Sequence, residues 1–317
     1  MNLVLIDSKN LVFRAHYVHR FLLSKGRCTS VLFGVLKMLA ATASRMPDTA
    51  FVFVWDGKGK TWRHELSKGE YKGHRQGVNE EMAPAFPQMD ILRKVLDDAG
   101  FRQFDFDNLE CDDLIGILAT VVIEKDLFEK VIIYSTDKDF YQLVTDNVGV
   151  MRGYDKDKIE QVSFAQEVQE ETGLDQEDWV KVKALTGEVT DNIPKIAAGL
   201  GPKTAMKMIQ AGLDPSLPEF KKNKWVVRQR FQTLATQWGK IRQNYELSRI
   251  VRAAGDEHLP APVCEKVIAM VQGLTTESFL RDPKKLSDDS FSAFTDFIMD
   301  YEMQELWQQR FVLWKLP

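Results

Sequence analysis

The chain has 317 residues, 44% of them hydrophobic, and a formal net charge of −4. This composition supports a real core in one large or two modest domains, and the overall charge alone does not indicate a nucleic-acid partner. Three scattered cysteines without a CxxC argue against disulfides and a zinc site, which fits a cytoplasmic protein. No apolar run is long enough to span a membrane, and no signal-type segment opens the chain.

Three short apolar runs, each typical of a β-strand, end at or just before an aspartate: Asp7, Asp56 and Asp137. They alternate with helical stretches, so we predict an α/β fold with a mainly parallel sheet. The carboxyl ends of parallel strands meet at one edge, where binding sites form. We therefore expect the three aspartates to converge there, with Asp139 close by.

A second group of carboxylates, Glu110, Asp112 and Asp113, opens a predicted helix before the third strand. Acids at a helix N-terminus can simply cap free N–H groups and favour the helix dipole. If this helix begins at the same edge, however, they join the aspartates there. Six or seven carboxylates cannot all ionise in one crevice without a counter-charge. Divalent cations supply one, and two such ions are the usual device for hydrolysing phosphodiesters.

The segment that follows Asp56 is basic, with six Lys or Arg and two acids from Lys58 to Arg75. One interpretation is a solvated surface loop. The other is a flexible, exposed element over the acidic crevice that holds phosphates, with Trp62 and Tyr71 stacking on bases. We favour the second interpretation because the segment directly follows an aspartate of the predicted edge.

From about residue 160 the pattern becomes helical, and Glu188 and Asp191 lie in a turn within it. A Gly-rich hairpin at residues 199–204 then opens a helix, which offers backbone N–H groups to a phosphate. The basic stretch at residues 221–252, with nine Lys or Arg and one acid, is either a solvated helical face or an extended track for DNA. We interpret residues 291–314 as a packing helix.

Several motifs occur in a fixed order over roughly residues 1–210. They are Asp7 with Arg14, Asp56 before Lys58 and Lys60, Tyr71-Lys72-x-x-Arg75, Glu110-x-Asp112-Asp113, Asp137-Lys138-Asp139, Asp191-Asn192-Ile193-Pro194, and Gly199-Leu200-Gly201-Pro202-Lys203-Thr204-Ala205. Together they resemble the 5′ nuclease (flap endonuclease) family. That family includes bacteriophage 5′–3′ exonucleases and the N-terminal nuclease domain of bacterial polymerases of the DNA polymerase I type.

The resemblance implies a central sheet with helices on both faces, in a nuclease core at residues 1–160 with a mobile arch at 58–82. A helical DNA-binding region at 161–317 would include a helix–three-turn–helix unit at 186–210. The resemblance also implies two Mg²⁺ or Mn²⁺ ions, and a K⁺ ion at the 199–204 hairpin. The first divalent ion would be held by Asp7, Asp56, Glu110 and Asp112, and the second by Asp113, Asp137, Asp139 and Asp191. Glu188 stands where the family usually has Asp, and we expect it to act as an outer ligand of the second ion.

The resemblance further gives roles to the basic residues. Lys72 and Arg75 would contact the scissile phosphate, and Tyr71 would stack on a base. The expected DNA-binding residues are Arg14, Lys58, Lys60, Tyr71, Lys195, Gly199, Gly201, Lys203, Thr204 and Lys207.

The sequence therefore predicts a monomeric, metal-dependent nuclease for DNA with 5′ ends, flaps or nicks, leaving 5′-phosphate and 3′-hydroxyl products. A replicative polymerase is an expected partner, and a free-standing enzyme is expected because no polymerase motifs follow. One alternative is cleavage of RNA in RNA–DNA hybrids, and another is a non-catalytic protein that binds branched DNA. A haloacid-dehalogenase-type phosphatase needs an aspartate where Lys9 stands.

Overall fold

The computed structural model describes residues 1–73, 80–153, 162–222 and 233–317. A six-stranded sheet lies at the centre, and a two-stranded ribbon stands apart from it. The strands are β1 (Asn2–Asp7), β2 (Leu23–Ser24), β3 (Arg27–Cys28), β4 (Thr49–Val54), β5 (Arg102–Phe104), β6 (Val131–Tyr134), β7 (Val148–Met151) and β8 (Val162–Ser163). The sheet order is β5-β4-β1-β6-β7-β8, parallel throughout except for β8 at one edge. The predicted mainly parallel sheet is confirmed.

Helices make up most of the rest of the described chain. They are α1 (Ser8–His19), α2 (Ser30–Ala43), α3 (Trp62–Leu66), α4 (Phe86–Asp98), α5 (Cys111–Glu124), α6 (Ala165–Thr172), α7 (Asp178–Thr186), α8 (Pro202–Gln210), α9 (Thr233–Thr236), α10 (Trp238–Ser248), α11 (Ala261–Gln272), α12 (Asp288–Asp300), α13 (Gln304–Trp307) and α14 (Arg310–Trp314). Within the described residues, none of them has the length and apolar character needed to cross a membrane.

The central strands β1, β4, β6 and β7 are buried on both faces because nearly all of their residues are apolar. In β1, Leu3 and Leu5 pack in one core with α5, whereas Val4 and Ile6 pack in another with α1, α2 and α4. This alternation follows from the two-residue period of a strand. Helices therefore cover both faces, as expected.

A third core joins α7, α8 and α10 through residues such as Leu185, Met208 and Ile241. The helices after α10 return to the sheet instead: α11 packs on the α5 side and α12 to α14 pack on the α2 side. The predicted single helix at residues 291–314 is wrong. Three helices occupy that stretch, and Glu302, with a φ of 53°, lies in the break after α12. The division of the chain at residue 160 stays a prediction.

The strand order indicates which edge of the sheet can form a binding site. In register, Asp7 at the end of β1 lies level with Val54 of β4, and Ile6 pairs with Tyr134 of β6. The chain builds the sheet outward from β1 through β4 to β5, then returns to the other side of β1 with β6. Such a reversal opens a crevice at the carboxyl ends of the strands.

Candidate active site

A cleft of about 280 Å³ lies at this edge of the sheet. Eight of the nine predicted carboxylates line it: Asp7, Asp56, Glu110, Asp112, Asp137, Asp139, Glu188 and Asp191. Three lysines, Lys9, Lys72 and Lys183, also line the cleft. The fold thus brings together side chains that are far apart in the sequence. The first and last of the eight carboxylates, Asp7 and Asp191, are separated by 184 positions.

Asp7 is the most central of these carboxylates, since it ends the middle strand and caps α1. Its Oδ1 accepts the backbone N–H of Asn10 at 3.1 Å, and its Oδ2 accepts the hydroxyl of Ser135 at 2.8 Å. Burial raises the pKa of Asp7 to about 6, helped by the charges of Asp137 and Asp56 and opposed by the two hydrogen bonds. Asp7 is thus held rigidly at a point where negative charge is costly.

Asp56 fixes the start of α5 to the end of β4. Its Oδ1 accepts the backbone N–H of Cys111 at 3.0 Å, while Lys9 Nζ lies 2.8 Å from Oδ2. This bond places Glu110 and Asp112, on either side of Cys111, at the edge of the sheet.

Glu110 is surrounded by donors. Lys72 Nζ lies 2.9 Å from its Oε2, the Tyr71 hydroxyl donates to the same oxygen at 3.1 Å, and Thr61 donates to Oε1 at 3.2 Å. Burial opposes its ionisation, but Arg63, 3.6 Å away, and Lys72 outweigh burial and lower the pKa of Glu110 to about 2. Glu110 is therefore ionised under all physiological conditions.

Two other carboxylates of the cleft, Asp112 and Asp139, have raised pKa values instead. Burial, together with the charges of Asp7 and Asp137, raises the pKa of Asp112 well above its usual value. Burial and the charge of Asp137 also raise the pKa of Asp139 to about 6, although Lys183 Nζ lies 2.9 Å from its Oδ1. The cleft thus carries more negative charge than its lysines neutralise.

Glu188 and Asp191 reach the cleft from the turn that follows α7. Gly187 begins the turn with a φ of 66°, and a Cβ there would lie 2.5 Å from the carbonyl oxygen of Ile193. Glu188 forms an ion pair with Lys183, and Lys183 also pairs with Asp139. Burial opposes ionisation of Glu188, but the hydrogen bond and charge of Lys183 outweigh it, so the pKa of Glu188 is lowered.

The carboxylates of the cleft suit divalent ions that keep part of their water shell better than ions bound by protein ligands alone. In the ranges described, no three Asp, Glu, His or Cys side chains form a group that could hold an ion as they stand. Lys9, Lys72 and Lys183 instead bind carboxylate oxygens that an ion would use. Mg²⁺ keeps several waters and needs few direct carboxylates, so displacement of the lysines would leave suitable ligands. The excess of buried negative charge also favours such an ion.

Asp113 does not line the cleft, so its role as a ligand of the second ion stays a prediction that this arrangement does not favour. Its side chain is fully buried and is not among the residues that line the cleft. Arg63 donates to both of its oxygens, at 2.6 and 2.8 Å, and Trp62 Nε1 and the Val251 N–H donate as well, at 3.0 and 2.9 Å. Both oxygens are thus occupied by protein donors.

The basic segment is also less exposed than its composition suggests. Trp62, Arg63 and Tyr71 are all buried, because α3 packs against the start of α5. Neither Trp62 nor Tyr71 therefore presents an exposed face for base stacking in this structure, and their stacking on bases stays a prediction. Arg75, the second predicted phosphate contact, lies outside the described residues, as do all of residues 74–79 of the predicted arch.

The other predicted DNA-binding residues lie on the surface or close to it. Arg14 is half-buried, with its guanidinium bonded to the Tyr134 hydroxyl at 2.8 Å and the Arg152 carbonyl at 3.0 Å. The following predicted residues are exposed: Lys58, Lys60, Lys195, Gly199, Lys203 and Lys207. Gly201 and Thr204, half-buried, form the N-terminal end of α8. Their contacts with DNA stay predictions.

The sequence analysis missed four residues that shape the site: Lys9, Arg63, Ser135 and Lys183. Lys9 was considered only for its position after Asp7. Lys183 lies in the last turn of α7, five residues before Glu188, and only the fold brings it to Asp139. A basic residue near a carboxylate turn is the signal that could have identified it.

Comparison with known proteins agrees with this geometry. The model of the family "5'-3' exonuclease, N-terminal resolvase-like domain" matches residues 2–173. A protein named 5'-3' exonuclease from Bacillus subtilis is 33% identical over 220 residues, which cover 66% of this chain and 69% of that protein. DNA polymerase I of the same organism is 35% identical over 211 residues, or 66% of this chain and 23% of the polymerase.

Solved structures share the fold. A T5 5'-exonuclease with divalent zinc ions bound superposes with a TM-score of 0.62 at 21% identity, covering 95% of this chain and 99% of that one. The bacteriophage T5 D15 flap endonuclease, in a complex with DNA and metal ions, gives a TM-score of 0.61 at 21% identity, covering 86% of this chain and 100% of that one. The catalytic core of Rad2 with a DNA substrate gives 0.55 at 14% identity, covering 100% and 91%.

This chain spans about a fifth to a third of the length of the DNA polymerase I proteins that it matches. The match to the family model nevertheless covers more than half of this chain and includes the strands and the α5 start that build the cleft. The carboxylates of the cleft and the family model therefore lead to the same conclusion: the chain belongs to the 5′–3′ exonuclease family defined by the N-terminal resolvase-like domain.

Proposed function

We propose that the protein is a divalent-metal-dependent 5′ nuclease, a 5′–3′ exonuclease and flap endonuclease that hydrolyses DNA phosphodiesters. The observation that carries the proposal is the cleft with eight carboxylates at one sheet edge and Lys72 beside them. The family membership supports the reaction class. Mg²⁺ or Mn²⁺ are the ions we propose, with K⁺ at the 199–204 hairpin.

Divalent ions bound in the cleft would lower the pKa of a water molecule and stabilise charge on the leaving oxygen. Asp7, Asp56, Glu110 and Asp112 would hold one ion, and Asp137, Asp139 and Asp191 a second, with Glu188 in an outer position. Asp113 is left out of this set because its oxygens are bonded to Arg63.

The lysines of the cleft would change partners when ions and DNA bind. Lys72 and Lys183 now neutralise Glu110, Asp139 and Glu188. If divalent ions neutralised these acids, the ammonium groups of Lys72 and Lys183 would be free to contact a phosphate. Lys72 would then stabilise negative charge on the phosphate in the transition state, a task that suits a preorganised charge in a buried site.

Gly201 precedes the first turn of α8, and three exposed lysines lie before or along this helix: Lys195 before it, Lys203 in its first turn and Lys207 in its last turn. Free N–H groups at a helix N-terminus attract phosphate, so this unit is our proposed grip on the duplex backbone. A DNA polymerase that supplies nicked or flapped DNA is the proposed partner.

The proposal is tested with three 5′-labelled substrates in Mg²⁺: a DNA flap, a nicked DNA duplex and an RNA–DNA hybrid of the same sequence. We expect cleavage of the flap and the nicked duplex, with 5′-phosphate and 3′-hydroxyl products. Faster cleavage of the hybrid would favour RNA removal instead. Binding of all three without cleavage would favour a non-catalytic DNA-binding protein.

Replacing Lys72 should slow cleavage much more than it weakens binding. Lys72→Ala should reduce the single-turnover rate at saturating enzyme by roughly 10²- to 10³-fold, the usual effect of removing one such group. Lys68→Ala is a matched control, since Lys68 is an exposed lysine in the same segment with a similar φ of 55°, against 53° for Lys72. If Lys72→Ala altered only DNA affinity, the assignment would be withdrawn.

Glu188 should influence the affinity for ions and not the reaction itself. Its side chain is one methylene longer than Asp, about 1.5 Å, which suits a contact through water. Glu188→Gln should raise the Mg²⁺ concentration for half-maximal rate, with a smaller effect than Asp191→Asn, and Glu188→Asp should be nearly neutral. A Mg²⁺ titration of single-turnover cleavage measures all three. An unchanged titration for Glu188→Gln would place this residue outside the metal site.

A further inference from the structure

The end of the basic segment is docked on the turn that carries Glu188 and Asp191. The Lys72 N–H donates to the Asp191 carbonyl at 2.9 Å, and Asn192 Nδ2 donates to the Glu70 carbonyl at 2.8 Å. Asn192 can do so because it adopts a left-handed conformation, with a φ of 60°. Two elements that are distant in the chain are therefore joined at the mouth of the cleft.

Tyr71 lies at the centre of this junction. Its side chain is 3% exposed and packs in a small cluster with Ile193 and Leu247. The ring of His64 meets it edge-on, with centroids 5.6 Å apart, and Lys72 Nζ lies 4.8 Å from the centre of its ring. A nucleobase could not stack on this ring unless the junction opened.

The hydroxyl of Tyr71 lies between two carboxylates of the cleft. It is 3.1 Å from Glu110 Oε2 and 3.2 Å from Asp191 Oδ2. A phenol carries one proton, so the two acids share a single donor. Hydrogen bonds to charged acceptors are stronger than those between neutral groups. The Tyr71 hydroxyl also lies between two carboxylates of like charge. Without the hydroxyl, Glu110 and Asp191 would move apart.

We propose that Tyr71 is a positioning residue whose hydroxyl sets the spacing of Glu110 and Asp191 across the cleft. The inference rests on the proposed function insofar as these acids are taken as ligands of divalent ions. Glu110 belongs to the sheet side of the cleft and Asp191 to the helical side. The hydroxyl therefore couples the two sides of the ion site through the docked basic segment.

The test compares Tyr71→Phe, which removes only the hydroxyl, with Tyr71→Leu, which also removes the ring. Calorimetric titration of Mn²⁺ into the full chain without DNA measures ion binding independently of cleavage. We expect Tyr71→Phe to weaken binding roughly 10-fold, as groups that orient metal ligands typically do. Its affinity for the DNA flap in EDTA should stay within about twofold, and the Lys72 amide should exchange its hydrogen faster.

Tyr141→Phe is the matched control, since Tyr141 is also buried and donates to a carboxylate, Glu171, at 3.2 Å outside the cleft. Parent-like ion binding by Tyr71→Phe would overturn the inference. A loss of flap affinity in Tyr71→Leu, with Tyr71→Phe unchanged in both assays, would restore the base-stacking role. A parent protein that binds Mn²⁺ but cleaves no flap would contradict the proposed function while leaving the positioning role measurable.

Discussion

Asp112→Asn is expected to abolish cleavage and, at the same time, to make the metal-free protein more stable. Burial and the charges of Asp7 and Asp137 raise the pKa of Asp112, so its negative charge opposes the folded state when no ion is bound. A neutral amide removes that repulsion. It also removes a proposed ligand, so the single-turnover rate should fall by at least roughly 10²- to 10³-fold.

Two measurements on the same variant test this pair of effects: flap cleavage in Mg²⁺ and thermal unfolding in EDTA. Asp90→Asn, on the exposed side of α4, is the control and should change neither. A variant that retained full activity would remove Asp112 from the site. A lower unfolding temperature in EDTA would show that its charge stabilises the empty cleft.

Asp113→Ala, one residue further along α5, is expected to act in the opposite direction on stability. It removes the nearer carboxylate partner of Arg63, which is 3% exposed, and it removes the acceptor of the Val251 N–H. Breaking a buried ion pair from one side costs about 3–5 kcal/mol of unfolding free energy. The loss should be present in EDTA, because it does not depend on an ion.

Denaturant unfolding in EDTA measures this loss, with Asp90→Ala as an exposed control that should change stability by less than about 0.5 kcal/mol. Asp113→Asn keeps an acceptor for Val251 and should lose less stability than Asp113→Ala. If Asp113→Ala unfolded like the parent in EDTA but needed more Mg²⁺ for cleavage, Asp113 would be a metal ligand and the structural role would be wrong.

The contrast between Asp112 and Asp113 shows which features of the site can be predicted from the sequence and which cannot. Strand endings and helix starts are local patterns, so they were enough to predict that Asp7, Asp56, Glu110, Asp112 and Asp137 converge. The direction of Asp113 depends on Arg63 and on the backbone at residues 247–251, which are 50 and 134–138 positions away in the chain. Nothing in the motif itself distinguishes its two neighbouring aspartates.

Charge composition was the least reliable basis for predicting which residues are exposed. The basic segment after Asp56 was expected to be exposed, but Trp62, Arg63 and Tyr71 are buried because Asp113 and Glu110 provide acceptors for their polar groups. Similarly, Lys183 would be an ordinary helix lysine if α7 did not end beside Asp139. Long-range partners decide whether a charged side chain is solvated or belongs to a site.

The central claim is that the acidic cleft acts through divalent ions, and one measurement tests it most directly. The protein is freed of metal with EDTA, and single-turnover cleavage of a 5′-labelled DNA flap is followed as Mg²⁺ is added back. We expect no cleavage in EDTA and a saturable recovery of the rate with Mg²⁺. Cleavage at the same rate in EDTA and at every Mg²⁺ concentration would contradict the account.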